Sequence, residues 1–349
     1  MKPSPIAAAA VLLIAACSGG QDAVRQADPG VDAGSLTLFE PIPDVVVSEA
    51  NPITPEKVSL GRMLYYDTRL SAGGDVSCYV CHPLHDYGTS HRRTGVGHDA
   101  LQGGRNEPTV FNAAGHVAQF WDGRAPDVEA QALGPVLNPI EMGMADGNAV
   151  VDVLRTIPGY VDGFAAAFPG EADPLTFDNF GLAIAAFERG LMTPSRWDAF
   201  LTGDHAVLTD EEKAGFTAFI DAGCMQCHNG AYVGGTLYQK AGLVNPWFTA
   251  KDQGRFEVTS NPSDRMVFKV PSLRNVEETW PYFHDGSVQR LPDAIRLMAW
   301  HQTGIELDDA QIASILTWLR TLTGPIDVDY INEPVLPASP VPTARTAAR

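Results

Sequence analysis

Two copies of one short pattern, Cys78-Tyr-Val-Cys81-His82 and Cys224-Met-Gln-Cys227-His228, constrain this chain more than any other feature. In C-x-x-C-H the two thiols add to the vinyl groups of a haem, and the histidine that follows is held beneath the iron as its proximal ligand. Covalent attachment fixes one porphyrin edge, which leaves the imidazole nowhere to go but the metal. A single C-x-x-C could also be a disulfide, a thioredoxin-like redox pair or half a zinc site. Two copies, each followed by His, in a chain whose only other cysteine is Cys17, point to a c-type cytochrome with two haems.

The motifs lie 146 residues apart in a chain of 349, about one domain length. The sequence therefore predicts a mainly α protein with two cytochrome c-like haem domains in one chain. Thr209-Asp-Glu-Glu212 reads as a capping box opening a helix with Phe216, Phe219 and Ile220 on one face, which delivers the chain to Cys224. Asp308 caps a second helix, with Ile312, Ile315, Leu316, Leu319 and Leu322 at helical spacing before Gly324-Pro325 stops it. A third, with Phe180, Ile184, Phe187 and Leu191, falls near 177–191, and the domain boundary is placed just after it. This gives an N-terminal haem domain at 38–191, a C-terminal one at 192–330 and an extended tail at 331–349. Strand signals are weak throughout.

The first residues carry one Lys and then an apolar run from Ile6 to Ala16, too short to span a bilayer and typical of an export signal. Its end, Ile14-Ala15-Ala16-Cys17, resembles the lipobox of bacterial lipoproteins, which makes residues 1–17 a signal segment and Cys17 a lipid-anchor site. A soluble export signal with an incidental cysteine is the alternative. Residues 18–37, rich in Ser, Gly, Asp and Ala, read as a flexible tether. The formal charge of −18 repels nucleic acid and anionic lipid and attracts a basic protein partner.

What fills the sixth iron positions separates electron transfer from chemistry. Downstream of His228 stand only Met266 and Met298, and Met298 in Asp293-Ala-Ile-Arg-Leu-Met298 is either a haem ligand or a gap-filling core residue. For the first haem the candidates are His85, His91, His98 and His116. His85 is too close to His82, whereas His98 stands in Thr94-Gly-Val-Gly-His98, where two glycines give the loop freedom to move. A solvated loop histidine is the alternative there.

Beyond the two haem motifs, the chain resembles the bacterial dihaem cytochrome c peroxidase family from about residue 38 to 335. The shared stretches include Leu60-Gly-Arg-Met-Leu-Tyr-Tyr-Asp67, Arg105-Asn106, Pro108-Thr-Val-Phe-Asn112 and Gln119-Phe-Trp-Asp-Gly-Arg-Ala125. They continue with Asn138-Pro-Ile-Glu-Met142, Gly223-Cys-Met-Gln-Cys-His-Asn-Gly230, Pro271-Ser-Leu-Arg-Asn-Val276 and Tyr282-Phe-His-Asp-Gly286.

The resemblance implies a periplasmic enzyme that reduces hydrogen peroxide to water with electrons from a small cytochrome c or cupredoxin. The haem of Cys224, Cys227, His228 and Met298 would be the high-potential, electron-accepting one. That of Cys78, Cys81 and His82 would be the low-potential, peroxidatic one, with His98 as the sixth ligand that departs on reduction of the other haem. Glu141 and Gln131 match distal-pocket residues, Glu141 as acid/base, although on the residues alone Glu141 is an exposed turn residue. Trp121 matches an aromatic between the haems. Asn106, with the backbone carbonyls of Thr279 and Pro281, matches a calcium site, and the family adds a homodimer. His284 matches a histidine near the high-potential haem. The chain departs from many relatives after His98, where it has Asp99-Ala100 in place of Gly-Trp.

Two other functions fit the same haem motifs. One is a relative that oxidises a protein or organic substrate through a high-valent haem, like the enzyme that matures the tryptophan-derived cofactor of methylamine dehydrogenase. That enzyme has a Tyr where this chain has Met298. The other is an electron-transfer cytochrome with both irons permanently six-coordinate.

Overall fold

The computed structural model describes Met1 and residues 30–248 and 251–339, so the signal segment, Cys17 and the end of the tail lie outside the described residues. Among the described residues, nine helices of six residues or more organise the fold. In the first half these are α1 (Pro55–Tyr66), α2 (Val128–Leu137), α3 (Gly147–Arg155), α4 (Pro158–Ala167) and α5 (Phe177–Glu188). In the second they are α6 (Arg196–Leu201), α7 (Asp210–Asp221), α8 (Leu291–Met298) and α9 (Asp309–Leu319). The only sheet among the described residues pairs β1 (Tyr238–Lys240) antiparallel with β2 (Val267–Lys269). No helix among the described residues is long and apolar enough to cross a membrane.

The local signals that start these helices are legible. Thr54 accepts from Lys57 N with Pro55 at the first helical position, Asp127 accepts from Ala130 N, and Thr209 with Glu212 closes the expected capping box. Asp308 caps α9 in the same way, with Gln311 answering it.

Two large cores result. One gathers Leu60, Leu64, Val136, Tyr160, Phe164, Phe180 and Ile184, and the other Trp197, Phe216, Phe219, Ile312, Ile315 and Trp318. Each is built on a helix crossing that needs a glycine. A Cβ on Gly61 of α1 would overlap the carbonyl of Ala183 in α5, and one on Gly215 of α7 would overlap that of Ser314 in α9.

Both ends of the described chain pack on the opposite half. Phe39 sits edge-on to Trp197 and Phe216 at 5.7 and 5.4 Å, and Ile42 N donates to Asp198 Oδ1 at 2.8 Å. Just before them, the described end of the expected tether forms a short helical turn at Ala33–Leu36, capped by Asp32. Conversely, Ile331 is buried beside Tyr65, Phe111 and Phe187, and Arg69 Nη1 donates to the carbonyl of Pro337 at 2.9 Å. Residues 332–339 form no helix or strand, and Pro337 is the part of this segment that Arg69 holds against the N-terminal half.

Candidate active site

Each C-x-x-C-H motif opens onto its own cavity. The first, of about 270 Å³, has Cys81 and His82 on its wall, and the second, of about 180 Å³, has Cys224 and His228. All four thiols are free. Burial pushes Cys81 and Cys224 up to about 12 and raises Cys78 and Cys227 as well, so none is a poised thiolate. Among the described residues no three His, Cys, Asp or Glu side chains converge as a zinc site requires.

The histidines are set for a metal. His82 Nδ1 lies 3.0 Å from the carbonyl of Gly88 and His228 Nδ1 lies 3.3 Å from that of Val233, contacts that place the proton on Nδ1 and leave Nε2 free to ligate. Burial depresses His228 to about 4, which keeps its ring neutral. Apolar side chains, including Phe219, Leu291, Ile295, Ile315 and Leu319, wall the second cavity. Free thiols within each motif, an imidazole oriented through its far nitrogen and, in the second cavity, an apolar wall are what a covalently attached haem requires, and the residues fit it.

The distal residues come together at the first cavity. Glu141, Gln131 and Trp121 all line it. Glu141 lies in a tight turn, where its Oε1 accepts from Asn138 Nδ2 at 2.8 Å and its backbone N–H donates to the Asn138 carbonyl at 3.0 Å. Burial raises its pKa; His82, Arg124 and the Asn138 bond oppose the rise, and Glu107 reinforces it. The carboxylate is thus half-buried and aimed at the cavity, against the exposed-turn alternative. Gln131 projects from α2. Trp121 lies on the walls of both cavities, with Nε1 donating to the Asn106 carbonyl at 2.9 Å.

Met298 ends α8 and lines the second cavity together with His228. Asn106, Thr279 and Pro281 share that wall. The Asn106 amide nitrogen donates to the carbonyls of Arg92 and Arg93 at 3.2 and 3.4 Å. His284 is buried against Phe268 at 4.3 Å, and burial lowers its pKa.

His98 is not on either wall. Its Nδ1 lies 3.2 Å from Asp75 Oδ1 and its Nε2 3.3 Å from Asp99 Oδ2, while its backbone N–H donates to the Glu141 carbonyl at 2.7 Å. The glycines before it serve close approach more than freedom: a Cβ on Gly97 would overlap the carbonyl of Ile140, and one on Gly95 would overlap Glu107. The other histidine candidates also lie elsewhere. His85 is exposed, His91 stacks on Trp280 at 4.2 Å, and His116 lines the second cavity rather than the first. Glu107, Glu188 and Arg124 line the first cavity without having been singled out in the sequence; the signal for Glu188 was a charge inside the apolar stripe of α5.

Comparison with known proteins agrees with this geometry. Residues 55–206 match the family model for di-haem cytochrome c peroxidase. The chain is 43% identical to the cytochrome c551 peroxidase of Pseudomonas aeruginosa, covering 93% of this chain and 94% of that one. It is 42% identical to the cytochrome c551 peroxidase of Nitrosomonas europaea, covering 90% and 92%. Among solved structures, a MauG-like protein associated with microbial copper homeostasis superposes with a TM-score of 0.76 at 30% identity, covering 84% of this chain and 97% of that one. The chain belongs to the di-haem cytochrome c peroxidase family. It is an oxidoreductase of the peroxidase class whose cofactors are two haem c groups.

Proposed function

We propose that the protein reduces hydrogen peroxide to two waters, taking two electrons one at a time from a small cytochrome c or cupredoxin together with two protons. Electrons enter at the haem held by Cys224, Cys227, His228 and Met298 and pass to the one held by Cys78, Cys81 and His82. The observation that supports this best is one cavity wall shared by Cys81, His82, Glu141, Gln131 and Trp121, with Trp121 reaching the other cavity too.

When bound, the haems supply an iron that takes peroxide as a ligand and a second iron that stores an electron for it. The side chains do the rest. Glu141 takes the proton from the near peroxide oxygen and gives it to the far one, which departs as water; burial raises its proton affinity toward what this transfer needs. Gln131 orients the peroxide through its amide. Trp121, tied to the Asn106 carbonyl, spans the partition along the electron's path. Met298 facing the second cavity favours this reading over the Tyr-ligated alternative.

In this proposal His98 would be a departing ligand to the iron of the first haem, and Asp75 and Asp99, which contact its ring at 3.2 and 3.3 Å, would hold it when it is away from the iron. Asn106, Thr279 and Pro281 bind calcium at the partition. The haem domains are 38–191 and 192–330, and the protein works as a periplasmic, Cys17-anchored homodimer.

Stopped-flow mixing of peroxide with the calcium-loaded holoenzyme, fully oxidised and half-reduced, tests the reading. Reaction after half-reduction alone supports a reductively activated peroxidase. Reaction in both states keeps the peroxidase and removes the His98 gate. Reaction in neither leaves the electron-transfer cytochrome.

A further inference from the structure

The second cavity contains two hydrogen-bond donors that no acceptor meets. Lys269, at the end of β2, is buried, and its Nζ donates to the carbonyl of Ala118 at 2.8 Å and lies 3.3 Å from His116 Nδ1. An ammonium can only donate, so Nδ1 of His116 accepts and the ring carries its proton on Nε2. That Nε2 is buried without a partner. The ammonium keeps a third N–H beyond those used on Ala118 and His116.

The electrostatics agree. Burial first and then Lys269 hold His116 well below its ordinary pKa, so the imidazole is neutral. Burial lowers Lys269 to about 8, which leaves it mostly charged at neutral pH, and Asp122 is the acid that helps to keep it so. Asp122 is already paired with Arg105 and Arg124, at 2.5 and 3.0 Å. Among the described residues no carboxylate forms an ion pair with Lys269. A buried cation without a counterion is costly unless an anion arrives with the ligand.

The position of the pair identifies the anion. Both side chains lie on the cavity wall with Cys224, His228 and Met298, and Lys269 is the one Lys or Arg on that wall among the described residues. The Lys269 backbone N–H donates to the Trp121 carbonyl at 2.8 Å, which places the pair at the partition between the cavities. A haem attached through its vinyl edge brings two ionised carboxylates on its other edge.

We infer that Lys269 and His116 form a carboxylate site in the second cavity, and that its ligand is a propionate of the haem attached at Cys224 and Cys227. The inference rests on the haem assignment above. Beyond anchoring, the fixed positive charge disfavours the oxidised iron and so raises the reduction potential of this haem relative to its neighbour.

Spectroelectrochemical titration of the holoenzyme and of Lys269→Met, Lys269→Arg and His116→Phe tests this, with resonance Raman spectra at a potential where only the C-terminal haem is reduced. Lys269→Met is expected to lower the midpoint of that haem, leave the other in place and shift the propionate-bending band. Lys269→Arg is expected to restore both, and His116→Phe to shift the band with a smaller fall in midpoint. If Lys269→Met does not accumulate, His116→Phe reads the same band. An unmoved band and midpoint in variants carrying two haems would overturn the assignment. An unmoved band with a wild-type midpoint that follows chloride or phosphate concentration would overturn it in favour of a soluble anion. A pyridine haemochrome count separates the two levels: fewer than two haems per wild-type chain defeats the haem assignment itself.

Discussion

At Glu141 the turn that buries the carboxylate also raises its proton affinity, and the two effects set the pH dependence together. The carboxylate must be ionised to take the first proton, so kcat/KM for peroxide is expected to fall as pH drops through a pKa raised by burial above that of an ordinary glutamate. Glu141→Gln should slow the peroxide reaction by roughly 10²–10⁴-fold and abolish that limb, with haem content and spectra unchanged. Glu188 gives a stability readout. Burial raises it from 4.5 to about 8, so between those values the folded chain binds a proton that the unfolded chain has released. Stability from this group is therefore greatest below the unfolded pKa and declines as pH rises to about 8. Glu188→Gln should raise the Tm little at pH 5 and by a growing margin up to pH 8; an equal margin at both would contradict the assignment. The haem-binding cysteines and histidines were legible because their spacing is their chemistry. Glu141, Gln131 and Trp121 were legible only through family resemblance, since periodicity does not report which cavity a turn faces. His116, one of four candidates for the first haem, lines the second cavity instead, and nothing in the sequence around Lys269, at the end of β2, marks it as facing that cavity.

The helices were legible where capping and periodicity coincide, as at Thr209 and Asp308, while their crossings were not. A glycine within a helix reads as a weak point until its partner is known. At Gly61 and Gly215 it is what lets two helices approach, so Gly61→Ala or Gly215→Ala should lose about 1–3 kcal/mol to overpacking, exceeding the roughly 1 kcal/mol of helix propensity gained. Denaturant melts monitored at the haem bands would show it as a lower midpoint at unchanged slope. The exchange of terminal segments was equally hidden, because the Ile42–Asp198 bond joins residues 156 positions apart. Asp198 is the centre of that junction. Arg274, 1% exposed, meets it with two nitrogens at 2.5 and 2.9 Å and also donates to the Ala231 carbonyl, just beyond the second haem motif. Arg274→Met would strand a buried carboxylate and is expected to cost about 3–5 kcal/mol. The double variant Arg274→Met, Asp198→Asn should recover part of that loss, which distinguishes a stranded charge from lost packing.

Across the whole molecule the charge is more one-sided than its count suggests. There are 42 acidic and 24 basic residues, and many arginines are committed internally: Arg105 to Asp122 and Asp252, Arg189 to Glu129 and Arg274 to Asp198. The field presented to a partner is therefore strongly negative, and haem propionates add to it unless neutralised as proposed for Lys269. Such a field speeds the approach of a basic donor and does nothing for an uncharged substrate. The two half-reactions should accordingly separate with salt. The bimolecular rate for oxidation of a basic cytochrome c is expected to fall severalfold between low and high ionic strength, as the screening length contracts from about 30 Å at 0.01 M to about 3 Å at 1 M. The rate for peroxide, measured on pre-reduced enzyme in the same buffers, should stay level. Parallel decline of both rates would mean that salt acts on the enzyme's conformation; a level donor rate would mean that docking rests on apolar contact. The separation is informative because peroxide and donor meet the same folded chain, so whatever differs between them belongs to the charge on the partner.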